Sequence, residues 1–168
     1  MAMLTEHDIY LFKEGTHANL YRKLGCQLAA GGGARFAVWA PNARAVSVIG
    51  DWNGWRPEAD PMRPRWDSSG IWEAEVPAVR AGQAYKYAIV NVHGSREDRA
   101  DPFAFHGEVA PASASRAWRL DYEWGDGEWM RERAAKNALE APFAVYEVHL
   151  GSWRRSSADR LPSYREIA

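Results

Sequence analysis

Hydrophobic and polar positions in this chain alternate in short bursts rather than in long helical waves. Arg35-Phe36-Ala37-Val38-Trp39 alternates and stops before Pro41-Asn42, and Ala45-Val46-Ser47-Val48-Ile49 follows as a second run. Ile71 to Val76 places Trp72, Ala74 and Val76 on one face, and Ala84 to Val90 is a further β-prone stretch. Pro57, Pro61, Pro64, Ser68-Ser69-Gly70, Pro77, Gly82 and His93-Gly94 separate these runs with turn chemistry. Short strands at such spacing predict an all-β, two-sheet sandwich rather than alternating β and α units. Upstream, Leu20 to Leu24 has helical spacing and Gly25 can terminate a helix, so a short helix is expected over residues 18–24. Gly31-Gly32-Gly33 reads as a flexible hinge. Beyond Asp101-Pro102 the chain turns small and polar, a helix is expected over Trp129 to Leu139, and Phe143 to Leu150 reads as a strand with no obvious upstream partner.

Composition narrows the field. A chain of 168 residues with 46% hydrophobic residues fills about one domain and buries a real core. With 21 basic against 22 acidic residues and a formal charge of -1, no electrostatic case exists for nucleic acid or an anionic membrane, so a neutral polymer fits better as partner. The single cysteine, Cys26, cannot form an internal disulfide, which points to packing and to a reducing compartment, with the cytoplasm as the expected location. No run has the length of a membrane span, and residues 1–8 lack the basic start and apolar stretch of a signal peptide.

Most catalytic chemistry is missing from the pattern. The three glycines lead into a strand and are not followed by Lys-Ser/Thr, which argues against a phosphate loop. His7, His17, His93, His106 and His149 show no metal-ligand spacing, and Ser47, Ser69 and Ser152 sit in no nucleophile elbow. Asp98, Asp101, Asp121 and Glu147 form no preferred acid/base pair. No catalytic residue, metal or cofactor is therefore expected.

The nine tryptophans are the anomaly, and two of them flank a turn in Gly50-Asp51-Trp52-Asn53-Gly54-Trp55. Asn53-Gly54 suits a tight turn at a sheet edge. An indole ring offers an apolar face and one N–H donor, which suits the C–H face of a glucose unit. Trp52, nearer the strand, is expected to pack in the core, and Trp55, beyond the Asn-Gly pair, to stand further out.

These motifs resemble the N-terminal module of glycogen branching enzymes, of carbohydrate-binding module 48 type. The resemblance rests on residues 35–43, on 46–55, on Ser69-Gly70-Ile71-Trp72-Glu73 and on Tyr85-Lys86-Tyr87. It continues through Asp101-Pro102-Phe103-Ala104, Lys136 to Leu139, Tyr146 to Arg155 and Ser163 to Glu166. Related modules occur in debranching enzymes and in the glycogen-binding kinase subunit, and Gly151-Ser152-Trp153-Arg154-Arg155 favours the branching enzymes among them.

The resemblance implies an immunoglobulin-like sandwich that binds α-1,4-glucan, as glycogen, amylose or maltooligosaccharide. In the family it precedes a (β/α)8 barrel that cleaves α-1,4 links and transfers the chain to form α-1,6 branches. The expected division is a lead-in at residues 1–25, the sandwich at 26–120, a connector at 121–142 and the first part of the barrel at 143–168. Motifs carrying the family's catalytic carboxylates have no counterpart here, so these residues alone are not expected to be active. By resemblance Trp55 is the stacking residue and Lys86 meets sugar hydroxyls, with a solvent-facing strand residue lying over a tyrosine as the structural alternative for Lys86; Asn53 and Trp52 complete the candidate set, Asn53 as a residue that orients the turn. The family's second tryptophan, in the hairpin after Tyr85-Lys86-Tyr87, is replaced by a stretch offering only His93, so the platform is expected to be half built and its binding weak. Two further expectations follow: self-association through residues 143–150, where a barrel strand lacks its barrel, and, as the alternative to sugar binding, a purely structural module packed against that barrel.

Overall fold

The computed structural model describes residues 4–155 and 160–167. The order of elements is α1 (Glu6–Lys13), a single 3-10 turn (Leu20–Arg22), β1 (Gly25–Leu28), β2 (Ala34–Trp39) and β3 (Ala43–Gly50). After a second 3-10 turn (Asp51–Asn53) come β4 (Arg63–Pro64), β5 (Ile71–Val76), β6 (Ala84–Asn91), β7 (Arg96–Arg99), β8 (His106–Gly107) and β9 (Ser115–Arg116). Three helices complete the chain: α2 (Gly127–Lys136), α3 (Leu150–Trp153) and α4 (Tyr164–Ile167). The chain divides into two compact units between Asp121 and Tyr122.

The first unit is the all-β sandwich that the alternation predicts. One antiparallel sheet has the order β1-β2-β5-β4; the other has the order β3-β6-β9-β8, with β7 also paired to β6. Strand alternation sends Phe36 and Val38 of β2, Val46 and Val48 of β3, and Tyr85 and Tyr87 of β6 into one core together with Trp72, Val76 and Val79. The ring of Phe36 lies at its centre, edge-on to Tyr85 at 5.2 Å and stacked on Trp52 at 5.8 Å. Asp101 is buried beneath these rings, where it accepts hydrogen bonds from the hydroxyls of Tyr85 at 2.6 Å and Tyr87 at 3.2 Å and from the amide of Phe103 at 2.8 Å.

The opposite face of the first sheet is covered as well. Ala37 and Ile71 point away from the main core and pack with Leu4, Ile9 and Leu24, flanked by Phe12, Leu20 and Phe103. Helix α1 is fixed by a capping box in which the Thr5 hydroxyl accepts from the Asp8 amide while the Asp8 carboxylate accepts from the Thr5 amide. The expected helix over residues 18–24 is corrected to one 3-10 turn, and the real helix lies upstream. The three glycines are a hairpin turn rather than a hinge: Gly32 and Gly33 take positive φ, and the Ala29 amide donates to the Gly33 carbonyl.

One stretch visits both sheets. Its Asp60 carbonyl accepts from the Val48 amide, the Met62 amide donates to the Val46 carbonyl of β3, and from the next residue on β4 pairs with β5.

In the second unit the expected helix is present as α2. The expected strand over residues 143–150 is corrected: residues 143–149 form no ladder and Leu150 opens α3. β propensity alone does not make a strand; each strand's amides and carbonyls need a partner strand, and among the described residues none pairs with this run. No helix among the described residues is long and apolar enough to cross a membrane.

Cys26 packs in the core, and burial, with the Asp101 charge adding to it, pushes its thiol up to about 12. The thiolate is the reactive form. Native protein is therefore expected to resist iodoacetamide at neutral pH and to be alkylated only on unfolding, as mass spectrometry would show. Rapid modification without loss of fold would contradict this placement.

Candidate functional site

The turn after β3 is organised by its own side chains. Asn53 is buried and spends its amide fully within the protein: Oδ1 accepts from the Gly50 and Trp55 amides at 3.0 and 3.1 Å, and Nδ2 donates to the Val48 carbonyl at 3.0 Å and to Asp60 at 2.7 Å. Asp60 also accepts from the indole N–H of Trp52 at 2.8 Å. Asp51 ties the turn to the neighbouring strand by accepting from the Ala84 amide at 2.7 Å. Trp52 lies so close over Gly50 that a Cβ there would come within 2.5 Å of both the Trp52 ring and the Ala84 carbonyl. Only glycine fits at that approach.

This network separates the four residues that the sequence nominates. Trp52 stacks on Phe36 and packs against the core. Asn53 has no polar valence left for a ligand and acts on the turn alone. Trp55 is half-buried, and its indole N–H has no hydrogen-bond partner among the described residues. Gly54 and Trp55 both take left-handed φ, 62° and 61°. A bulky residue rarely adopts that conformation, which costs on the order of 1 kcal/mol or more and persists only where the surroundings impose it.

Lys86 lies beside this turn through strand register. The Trp55 amide donates to the Gly50 carbonyl, Gly50 pairs with Tyr85, and the adjacent pair is Ile49 with Lys86. Since Tyr85 and Tyr87 face the core, Lys86 faces outward, and its ammonium donates to Ser113 Oγ at 2.9 Å with two further N–H donors free. The same outward face carries Asp98, whose residue pairs with Ala88 and whose carboxylate grips Arg96 at 2.7 and 2.9 Å. That hydrogen bond, and then the charges of Asp98 and Glu58, raise the Arg96 guanidinium, so the loop after Trp55 lies within electrostatic reach of β7.

His93 sits in the turn after Asn91, six residues along β6 from Tyr85, about 20 Å at the rise of an extended strand. Sequence reasoning missed Asp60, which braces both Trp52 and Asn53, and Ser113, which meets Lys86. Neither sits in a recognisable local pattern; only folding brings Ser113 27 residues back to Lys86. Among the described residues no cluster of three or more His, Cys, Asp or Glu could hold a metal ion.

The arrangement thus offers one half-exposed indole with a free donor, next to a strand face of mixed hydrogen-bonding groups. Comparison with known proteins adds a family. Residues 23–104 match carbohydrate-binding module 48 (isoamylase N-terminal domain). The chain is 61% identical over 165 residues to the 1,4-alpha-glucan branching enzyme GlgB of Aromatoleum aromaticum, covering 98% of this chain and 26% of that enzyme. It is 57% identical over 167 residues to the GlgB of Albidiferax ferrireducens, covering 99% and 27% respectively. The chain therefore spans about a quarter of the length of these relatives. Among solved structures, PulA from Klebsiella oxytoca superimposes with a TM-score of 0.50 at 28% identity, over 60% of this chain and 10% of that one. Residues 23–104 thus form a module of the carbohydrate-binding module 48 family, within a chain similar to about a quarter of the 1,4-alpha-glucan branching enzymes GlgB.

Proposed function

We propose that this module binds α-1,4-linked glucan through the Trp55 ring and the Lys86 ammonium, and that it positions the polymer for a catalytic barrel that forms α-1,6 branches. The observation that carries the reading is Trp55 itself, held in a left-handed conformation, half-exposed, with its indole N–H unpartnered. Backbone strain held at a half-exposed aromatic supports a functional role for it. Its ring stacks on a glucose face while Lys86 donates to hydroxyls. Trp52 and Asn53 support the turn without touching sugar. The exposed run with Phe143, Val145 and Tyr146, which has no ladder, supports the companion proposal that this segment takes its partners from such a barrel.

A single stacked ring makes the interaction modest. Trp55→Ala is expected to weaken retardation in glycogen affinity electrophoresis about tenfold, the equivalent of about 1.4 kcal/mol. Trp55→Gly is the sharper variant, because it removes the ring while relieving the positive φ, so lost binding cannot be ascribed to lost folding. Retardation of Trp55→Gly equal to that of the parent would take Trp55 out of the site. A parent chain that no α-glucan retards would favour the packing role instead.

A further inference from the structure

The sheet that carries Lys86 holds a second aromatic element near its other edge. Tyr85 pairs with Ser115, and both turn to the core, where the Ser115 hydroxyl accepts from the Asp101 amide at 2.8 Å. The alternate residues therefore point outward with Lys86: Ala84 pairs with Arg116, and Arg116 pairs with His106 of β8. Ala117 is buried in the core, so Trp118 returns to the outer side, where its ring lies 4.6 Å from that of His106 at a tilt of 33°. In the strand order β3-β6-β9-β8, His106 stands three strands from the Trp55 turn, roughly 14 Å at the usual spacing. Both rings lie beyond residue 104, where the family match ends.

The pair keeps its hydrogen-bonding groups free. Trp118 is 42% exposed and His106 is exposed, and neither the indole N–H nor either imidazole nitrogen has a hydrogen-bond partner among the described residues. A neutral imidazole offers one donor and one acceptor, so the pair presents an apolar surface flanked by groups of both kinds. That combination suits a sugar ring for the same reason as an exposed indole does. Between the two aromatic elements the face is polar. Lys86 keeps two N–H donors beside Ser113; Arg116 gives Nη1 to the Gly82 carbonyl at 2.7 Å and Nη2 to Glu108 at 3.3 Å, and keeps three. Glu108 offsets the Arg116 charge, and a row of donors between two ring surfaces matches a neutral polymer whose apolar rings are edged with hydroxyls.

We propose that the glucan site extends across the outer face of the second sheet, from the Trp55 turn over Lys86 and Arg116 to the His106–Trp118 pair, so that one α-1,4-glucan chain bridges both aromatic elements. The proposal rests on the glucan-binding reading of the module and adds a preference for chain length. A chain too short to reach from Trp55 to Trp118 touches one element alone, whereas a longer one makes the second contact within the same complex and binds more tightly.

The test is a titration of the 168-residue chain with maltotriose and with maltoheptaose, followed by NMR at the tryptophan indole N–H signals, in the parent and in Trp118→Ala and Trp118→Phe variants. Maltoheptaose is expected to move both the Trp55 and the Trp118 signals in the parent. Read at Trp55, Trp118→Ala should weaken maltoheptaose about tenfold and leave maltotriose unchanged. Unchanged maltotriose affinity also reports an intact fold, and Trp118→Phe, which keeps a ring, should retain most of the maltoheptaose affinity. If the Trp55 signal responds while Trp118 stays still, or if Trp118→Ala weakens both sugars alike, the extension is overturned and the first site stands. If Trp118 alone responds, the Trp55 reading falls and the bridging with it. If neither signal moves, both fall.

Discussion

Asp101→Ala is expected to destabilise the sandwich by about 4 kcal/mol, read from urea unfolding. The substitution strands three donors together: the fully buried hydroxyls of Tyr85 and Tyr87 and the amide of Phe103. Each unsatisfied buried donor costs about 1–3 kcal/mol, and the lost carboxyl leaves a void. Asp101→Asn fills the volume and keeps one acceptor, so about half that loss is expected. The dependence on pH has a definite sign. Burial raises the Asp101 carboxyl above 3.8, and its hydrogen bonds from Tyr85, Phe103 and Tyr87 only partly offset this. A raised carboxyl contributes fully below its unfolded value and loses that contribution as pH rises through the folded one. The penalty of Asp101→Ala should therefore be greater in acid than in alkali. A loss below about 1 kcal/mol, within the spread of ordinary surface changes, would show that the tyrosines find other partners.

Asp8→Ala is expected to cost about 3 kcal/mol, with the opposite pH dependence. Burial works to raise this carboxyl, but hydrogen bonds from Lys23, the Thr5 amide, His17 and the Thr5 hydroxyl outweigh it and hold it far below 3.8. The contacts are 2.8 Å to Lys23 Nζ and 2.9 Å to His17 Nε2. The Asn19 amide donates to His17 Nδ1, so the proton of the neutral ring is on Nε2, facing Asp8. A depressed carboxyl contributes above its unfolded value and loses that contribution as pH falls through the folded one, so the Asp8 penalty shrinks progressively below pH 3.8. Removing Asp8 leaves Lys23 unpaired and breaks the capping box of an eight-residue helix too short to stand alone. Hydrogen exchange should show α1 opening before the sheets. Protection at Ile9 that survives the substitution would assign the docking of α1 to Leu4 and Ile9 alone.

Much of the sandwich was legible because its strands are half-buried. β2 and β5 announce themselves by alternation, β3 and β6 by apolar, β-prone runs, and Trp72, Ala74 and Val76 share the core-facing side that the pattern predicts. β1 hides because Gly25 to Leu28 is buried at all four positions, covered on both sides, so it shows no alternation. β7 hides for the reverse reason: Arg96-Glu97-Asp98-Arg99 is exposed throughout and reads as a charged loop. The helix α1 carried a usable signal, Thr5 followed by Asp8 three residues on, which its weak apolar stripe obscured. At the site, chain position alone distinguished Trp52 from Trp55. The charged surroundings of Arg35 were not legible, because they depend on the pairing of β2 with β5, which puts Arg35 opposite Glu75 and near Glu73.

The stretch from Asp60 to Pro64 has a consequence for behaviour in concentrated solution. It lies along the outer side of β3 in one sheet and of β5 in the other, and the residues that oppose Ser47 and Trp72 are both prolines, Pro61 and Pro64. A proline has no amide hydrogen to offer, so neither ladder presents a full row of donors there to an incoming strand. A single pass of chain thus guards two flanks against edge-to-edge polymerisation.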